Sequence, residues 1–128
     1  MRLYRVTRPL LTLQYGTSII LPNWENYRDM RVIAKRTLKE FWERPGCKDA
    51  ERALTEWHNM MLKAVWSTPQ ELKAEIRTAS IIKSGRVVFN VAGNKYRLVV
   101  SIDYGHQIAW VKFIGTHAQY DQIDVESV

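Results

Sequence analysis

RVVFNVAGNKYRLVVSIDYGHQIAWVKFIGTHAQYD, from Arg86 to Asp121, holds three β-rich runs. Gly93-Asn94 separates the first two, Tyr104-Gly105 the second two, and a short polar turn follows the last. Gly at the first position of a two-residue loop favours a type II′ hairpin, so neighbouring strands are predicted antiparallel. Counting back from Gly93-Asn94 sets Val91 opposite Tyr96, Phe89 opposite Leu98 and Val87 opposite Val100. The same count about Tyr104-Gly105 sets Leu98 opposite Val111, Val100 opposite Ala109 and Tyr96 opposite Phe113. Directly opposed residues share a face of the sheet. All of these are apolar, which makes this face the predicted core.

The other face carries Arg86, Val88, Asn90, Arg97, Val99, Ser101, Trp110 and Lys112. On the predicted register Asn90, Arg97 and Lys112 form one cross-strand row, and Val88, Val99 and Trp110 the next. Two cations side by side repel one another. An external anion relieves them, and a phosphate matches the fork of an arginine. The plainer alternative is a solvated face with scattered basic residues.

At 128 residues the chain is long enough for one domain with a two-layer core. Its 46% hydrophobic and 25% charged residues are those of a globular protein. The net charge of +6 favours an acidic partner such as nucleic acid or an acidic protein segment. A lone cysteine, Cys47, excludes an internal disulfide and suits a reducing, cytoplasmic setting. The three histidines and that cysteine show no metal-ligand spacing, and no Gly-rich phosphate loop or Gly-x-Ser-x-Gly occurs. Neither a metal nor a cofactor is therefore expected.

Residues 1–29 differ in character from the rest of the chain. Arg2, Arg5 and Arg8 precede an apolar run from Leu10 to Leu21, interrupted by Gln14, Gly16, Thr17 and Ser18. The run is too short and too broken for a membrane span, and no small-residue cleavage site comes after it. This segment is read as a leader, poorly ordered or lying upstream of a native start at Met30, with one domain over residues 30–128. Met30-Arg31-Val32-Ile33-Ala34 opens as a strand. A helix over Lys35–Arg44 comes next, with Leu38, Phe41 and Trp42 at helical spacing and Pro45-Gly46 as its stop. Asp49–Trp66 reads as a longer helix with Ala50, Leu54, Trp57 and Met61 on one stripe and His58 at its boundary. Thr68-Pro69-Gln70-Glu71 starts a short helix with a capping box. A short strand over Ser80–Lys83 then turns at Ser84-Gly85 into the meander. The predicted fold is α+β: an N-terminal strand and helices packed on one face of an antiparallel sheet.

In Gly115-Thr116-His117-Ala118-Gln119-Tyr120-Asp121, His117 and Tyr120 are three apart and project from one side of a helical turn. Folded over the Arg97 row, this turn supplies the parts for RNA cleavage without a metal. The 2′-OH must lose a proton and the departing 5′-oxygen must gain one, and histidine is the side chain suited to that near neutrality. Arg97, with Lys112 or Lys95, would hold the phosphate oxygens. Tyr120 would stack on a base or bond the phosphate. The alternative for His117 and Tyr120 is a structural cap over the sheet edge.

The segments Met30–Ile33, Leu38–Trp42, VVFNVAGNKYRLVV (Val87–Val100) and KFIGTHAQYDQID (Lys112–Asp124) resemble the HigB-type toxins of bacterial type II toxin–antitoxin systems. The resemblance covers roughly residues 30–124. It implies a RelE-like fold and a cytoplasmic mRNA interferase that cuts messages on the ribosome. It also implies a helix-turn-helix antitoxin of HigA type, through which alone DNA would be contacted. It places Arg97 at the scissile phosphate with Lys95 beside it and makes His117 and Tyr120 the terminal pair. Apart from the resemblance, Asn90, Asn94, Lys112 and Trp110 are the candidates for binding RNA. The rival reading is a basic module that binds RNA, ribosome or repressor without cutting.

Overall fold

The computed structural model describes residues 30–128 and, before them, only the backbone of two short strands. These are β1 (Leu10–Thr12) and β2 (Ser18–Ile20), paired antiparallel. Apart from them, the leader reading of residues 1–29 lies outside the described residues.

The remaining order is β3 (Arg31–Ile33), α1 (Lys35–Trp42), α2 (Ala50–Leu62), α3 (Pro69–Glu75), β4 (Ser80–Ile81), β5 (Arg86–Val91), β6 (Tyr96–Asp103), β7 (Ile108–Thr116) and α4 (His117–Tyr120). The last five strands make one sheet in the order β3-β7-β6-β5-β4. All its pairs are antiparallel except β3 with β7. A parallel partner needs a long crossover, and α1 to α3 supply it.

The helices bury one face of that sheet. Leu38 and Phe41 sit three apart on α1, and the Phe41 ring meets Tyr96 edge-on at 5.2 Å. On α2 the stripe Ala50, Leu54, Trp57 and Met61 is buried, with Trp57 edge-on to Phe89 at 5.5 Å. Leu38, Leu54 and Leu98 are fully buried, and burying a side chain of that size contributes about 1.5–3 kcal/mol. α2 stops at Leu62, short of the predicted Trp66, because the amides of Lys63 and Ala64 turn back onto the carbonyls of Met60 and Met61. α3 starts as predicted: Thr68 Oγ1 accepts from the Glu71 amide at 3.2 Å. The reciprocal bond is displaced by one residue, since Glu71 Oε1 accepts from the amide of Ser67 at 3.0 Å.

The β5–β6 register is the predicted one: Val91 faces Tyr96, Phe89 faces Leu98 and Val87 faces Val100. The β6–β7 register is not. Its closing pair is Asp103 with Ile108, leaving four turn residues, Tyr104 to Gln107. Asp103 Oδ1 accepts from the His106 amide at 3.1 Å and Gln107 takes a left-handed φ of 55°, which stabilise the wider turn. Val111 therefore faces Val100, two residues from the predicted partner. A shift of two preserves the alternation of faces, so the sequence pattern matches both registers equally well.

A bulge then adds one more residue. Val100 faces Val111 but Val99 faces Phe113, so Lys112 is the unpaired extra residue of β7. Beyond it every side chain changes face. Phe113 leaves the predicted core face, and Gly115 takes the place opposite Arg97 that Lys112 was predicted to fill. The outer face is also less open than predicted, for Val88 and Val99 are buried. The chain after α4 returns to Arg86, whose Nη2 donates to the Val128 carbonyl at 2.6 Å.

Candidate active site

Arg97 stands on the outer face of β6, between Asn90 of β5 and Gly115 of β7. Its Nη1 donates to the carbonyls of Asn94 at 3.2 Å and Tyr96 at 3.4 Å. The guanidinium is thus aimed by the backbone of the adjoining turn, and its side chain is only half-buried. Across the strand, Gly115 leaves room that a side chain would fill: a Cβ there would lie 2.6 Å from Phe113 Cζ and 2.7 Å from Gln119 Oε1. Glycine is needed at this position for close approach.

α4 begins immediately beyond. Tyr96 pairs with Thr116, so the first turn of α4 rises beside the Arg97 row, and α4 packs on β7 and β6. Thr116 Oγ1 accepts from the Gln119 amide at 3.2 Å and Gln119 Oε1 accepts from the Thr116 amide at 2.9 Å. This capping box holds a helix of only four residues. It fixes His117 and Tyr120 on one short, braced turn. The Tyr120 ring leans on Phe113, with centroids 6.5 Å apart. His117 Nδ1 lies 3.7 Å from Asp121 Oδ2, within reach of an ion pair when the imidazole is protonated, and both side chains are more than half exposed.

The fold therefore brings Asn90, Arg97, His117 and Tyr120 to one end of the outer face, with the Asn94 carbonyl at its margin. The other predicted residues stand apart. Lys112, exposed at the bulge, does not face Arg97. Trp110 shares a row with Ser101 and Arg86, and the buried Val88–Val99 row lies between it and Arg97. Two rows at the strand rise put it about 14 Å along the sheet from Arg97.

Lys95 turns toward the helices. Its Nζ pairs with Asp49 Oδ2 at the start of α2 and lies 5.4 Å from the Tyr96 ring centroid. Tyr96 Oη donates to Asp49 Oδ1 at 2.6 Å. Hydrogen bonds from Lys95 and then Tyr96 hold the Asp49 carboxyl below its ordinary range. The bond to Asp49 in turn holds the Lys95 ammonium and the Tyr96 hydroxyl above theirs. All three keep their neutral-pH protonation states more firmly than free side chains do.

From the sequence Asp49 and Asp121 carry no predicted role, Phe113 is predicted only as a core residue facing Tyr96, and Gly115 only as the sharp exit from the strand. Asp121 was within reach of the four-residue spacing from His117. The other three depend on the bulge or on a contact between helix and hairpin, which no local pattern carries.

The HigB toxin family, described as the RelE-like toxic component of a toxin–antitoxin system, matches residues 50–123, the span from α2 to just past α4. The chain belongs to this family. Over 94 residues it is 29% identical to the mRNA interferase toxin HigB of Escherichia coli (strain K12), covering 72% of this chain and 88% of that protein. The mRNA interferase HigB of Escherichia coli O157:H7 and that of Shigella flexneri match to the same extent. As the toxic component of such a system, this HigB-family toxin has an antitoxin partner. Its matched span holds Arg97, His117 and Tyr120 together with Asp49's neighbour Ala50, while β3 and α1 fall before it. Among the described residues no helix is long and apolar enough to cross a membrane.

Proposed function

We propose that this HigB-family toxin cleaves mRNA at the outer-face site built around Arg97. The observation that carries the proposal is the juxtaposition of Arg97, opposite Gly115, with the capped turn bearing His117 and Tyr120. The relatives it matches are named as mRNA interferases, and the positive net charge suits a polyanionic substrate.

In the proposed reaction the RNA 2′-oxygen attacks the adjacent phosphorus, the bond to the 5′-oxygen breaks, and a 2′,3′-cyclic phosphate forms. One proton leaves the 2′-OH and one reaches the 5′-oxygen. His117 carries one of these transfers, with Asp121 Oδ2 3.7 Å from its Nδ1. Arg97 holds the phosphate oxygens as charge builds, with Asn90 and the Asn94 turn alongside. Tyr120, backed by Phe113, receives a base by stacking. No residue in this scheme calls for a metal. The cleavage takes place on the translating ribosome in the cytoplasm, and a helix-turn-helix antitoxin of HigA type neutralises it.

The test is induction in bacteria with sequencing of RNA ends. Wild type halts growth and leaves 2′,3′-cyclic or 3′-phosphate ends. Arg97→Ala lowers cleavage by about 10²–10³-fold, as loss of a charge-stabilising donor does. His117→Ala lowers it by about 10²–10⁴-fold, as loss of a proton carrier does. Undiminished cleavage in both variants removes the site assignment.

A further inference from the structure

Asp49 occupies the N-cap of α2, where aspartate is among the best caps, yet its side chain makes no capping bond. The first amides of the helix turn instead to the preceding carbonyls, Ala50 N to Cys47 and Glu51 N to Lys48. Both carboxylate oxygens are used elsewhere, on Lys95 and Tyr96, 46 and 47 residues away. These two residues close the β5–β6 turn, where the Lys95 amide donates to Ala92 at 3.2 Å. The turn itself needs a restraint. Ala92 and Gly93 both take left-handed φ, 54° and 71°, and a non-glycine residue keeps that conformation only where its surroundings over-determine it. The residue just before Lys95 is Asn94, whose carbonyl accepts from Arg97.

We infer that Asp49 is a positioning residue: by tying the β5–β6 turn to α2, it fixes the carbonyl against which the Arg97 guanidinium is set. In this arrangement Lys95 is one arm of the tie and acts through Asp49. The activity half of the inference rests on the proposed cleavage at Arg97, and the structural half does not.

The structural half is read by NMR on the full chain, from the heteronuclear NOE of the Arg97 Nε–H group. Wild type gives an ordered side chain. Asp49→Ala gives a mobile one, and Lys95→Met moves it the same way. Asp49→Asn keeps an acceptor for Tyr96 and loses the charge, so it falls between; it also serves if the alanine variant does not fold. An Arg97 side chain equally ordered in all folded variants overturns the inference.

The activity half is read as single-variant and double-variant cleavage. Asp49→Ala lowers kcat about tenfold to a hundredfold with KM nearly unchanged, the scale expected of a misplacement near 1 Å. In an Arg97→Ala background it produces no further loss, since its effect runs through that guanidinium. Losses that multiply across the two sites overturn the inference. A wild-type protein that leaves RNA intact, with Arg97 order still depending on Asp49, refutes the proposed cleavage and leaves the positioning role standing.

Discussion

Replacing Gly115 by alanine sets a methyl carbon 2.6 Å from Phe113 Cζ and 2.7 Å from Gln119 Oε1. Both separations are closer than carbon atoms and their neighbours tolerate, so two groups must move. Displacing the Phe113 ring from its seat against Tyr120 is an overpacking cost of about 1–3 kcal/mol. Moving Gln119 Oε1 breaks its bond to the Thr116 amide, half of the capping box, which costs about 0.5–2 kcal/mol. Alanine returns about 0.4–1 kcal/mol by stiffening the unfolded chain. The net loss is then about 1–4 kcal/mol. At roughly 4 °C per kcal/mol for a chain of this size, that lowers Tm by about 4–16 °C. Melting followed by circular dichroism measures it. In a Gln119→Ala background the capping bond is already absent, so the cost of Gly115→Ala falls by that share. Because His117 and Tyr120 ride on the displaced turn, cleavage should drop at least about tenfold even where the variant is folded. A Gly115→Ala protein within about 0.5 kcal/mol of wild type, with full activity, refutes the placement of Phe113 on the outer face and hence the bulge at Lys112.

Arg97→Lys keeps the charge but loses the planar fork that bonds Asn94 and Tyr96, so it should recover less than a tenth of the cleavage lost in Arg97→Ala, measured by the same RNA-end assay. His58, buried on α2 with Nδ1 lacking a hydrogen-bond partner among the described residues, is held below its ordinary 6.5 by burial and then by the charge of Lys35. The unfolded chain takes up the proton near that pH while the folded chain resists it. Its contribution is complete above about pH 6.5 and is lost as pH falls below. Urea midpoints between roughly pH 7 and 5 should therefore decline, and the decline should be shallower in His58→Leu. Arg86→Met releases the Val128 carbonyl and the Ser101 hydroxyl, at a cost of about 1.5–3 kcal/mol for bonds to a charged group. Its readout is faster carboxypeptidase trimming after Asp121, and trimming at the wild-type rate would show that Arg86 does not hold the tail.

The sequence by itself determined the elements and one hairpin. Three β-rich runs, a Thr-Pro start for α3 and an apolar stripe on α2 are local patterns, and local backbone preference is enough to read them. The β5–β6 register was legible because Gly93-Asn94 leaves one count consistent with the turn. The β6–β7 register was not, since a slip of two residues preserves every apolar match, and the Asp103 turn that selects between the two counts resembles a shorter one. The turn bearing His117 and Tyr120 could be named from residue types alone, and so could Arg97. What only tertiary structure decided is which of the basic residues stand with them. One extra residue at Lys112 reverses the faces of everything after it, which moves a cation out of the Arg97 row and puts a glycine in. Asp49 reaches Lys95 across 46 positions of chain. Such pairings are set by how helix and sheet pack as whole bodies, a long-range condition that no window of neighbouring residues contains.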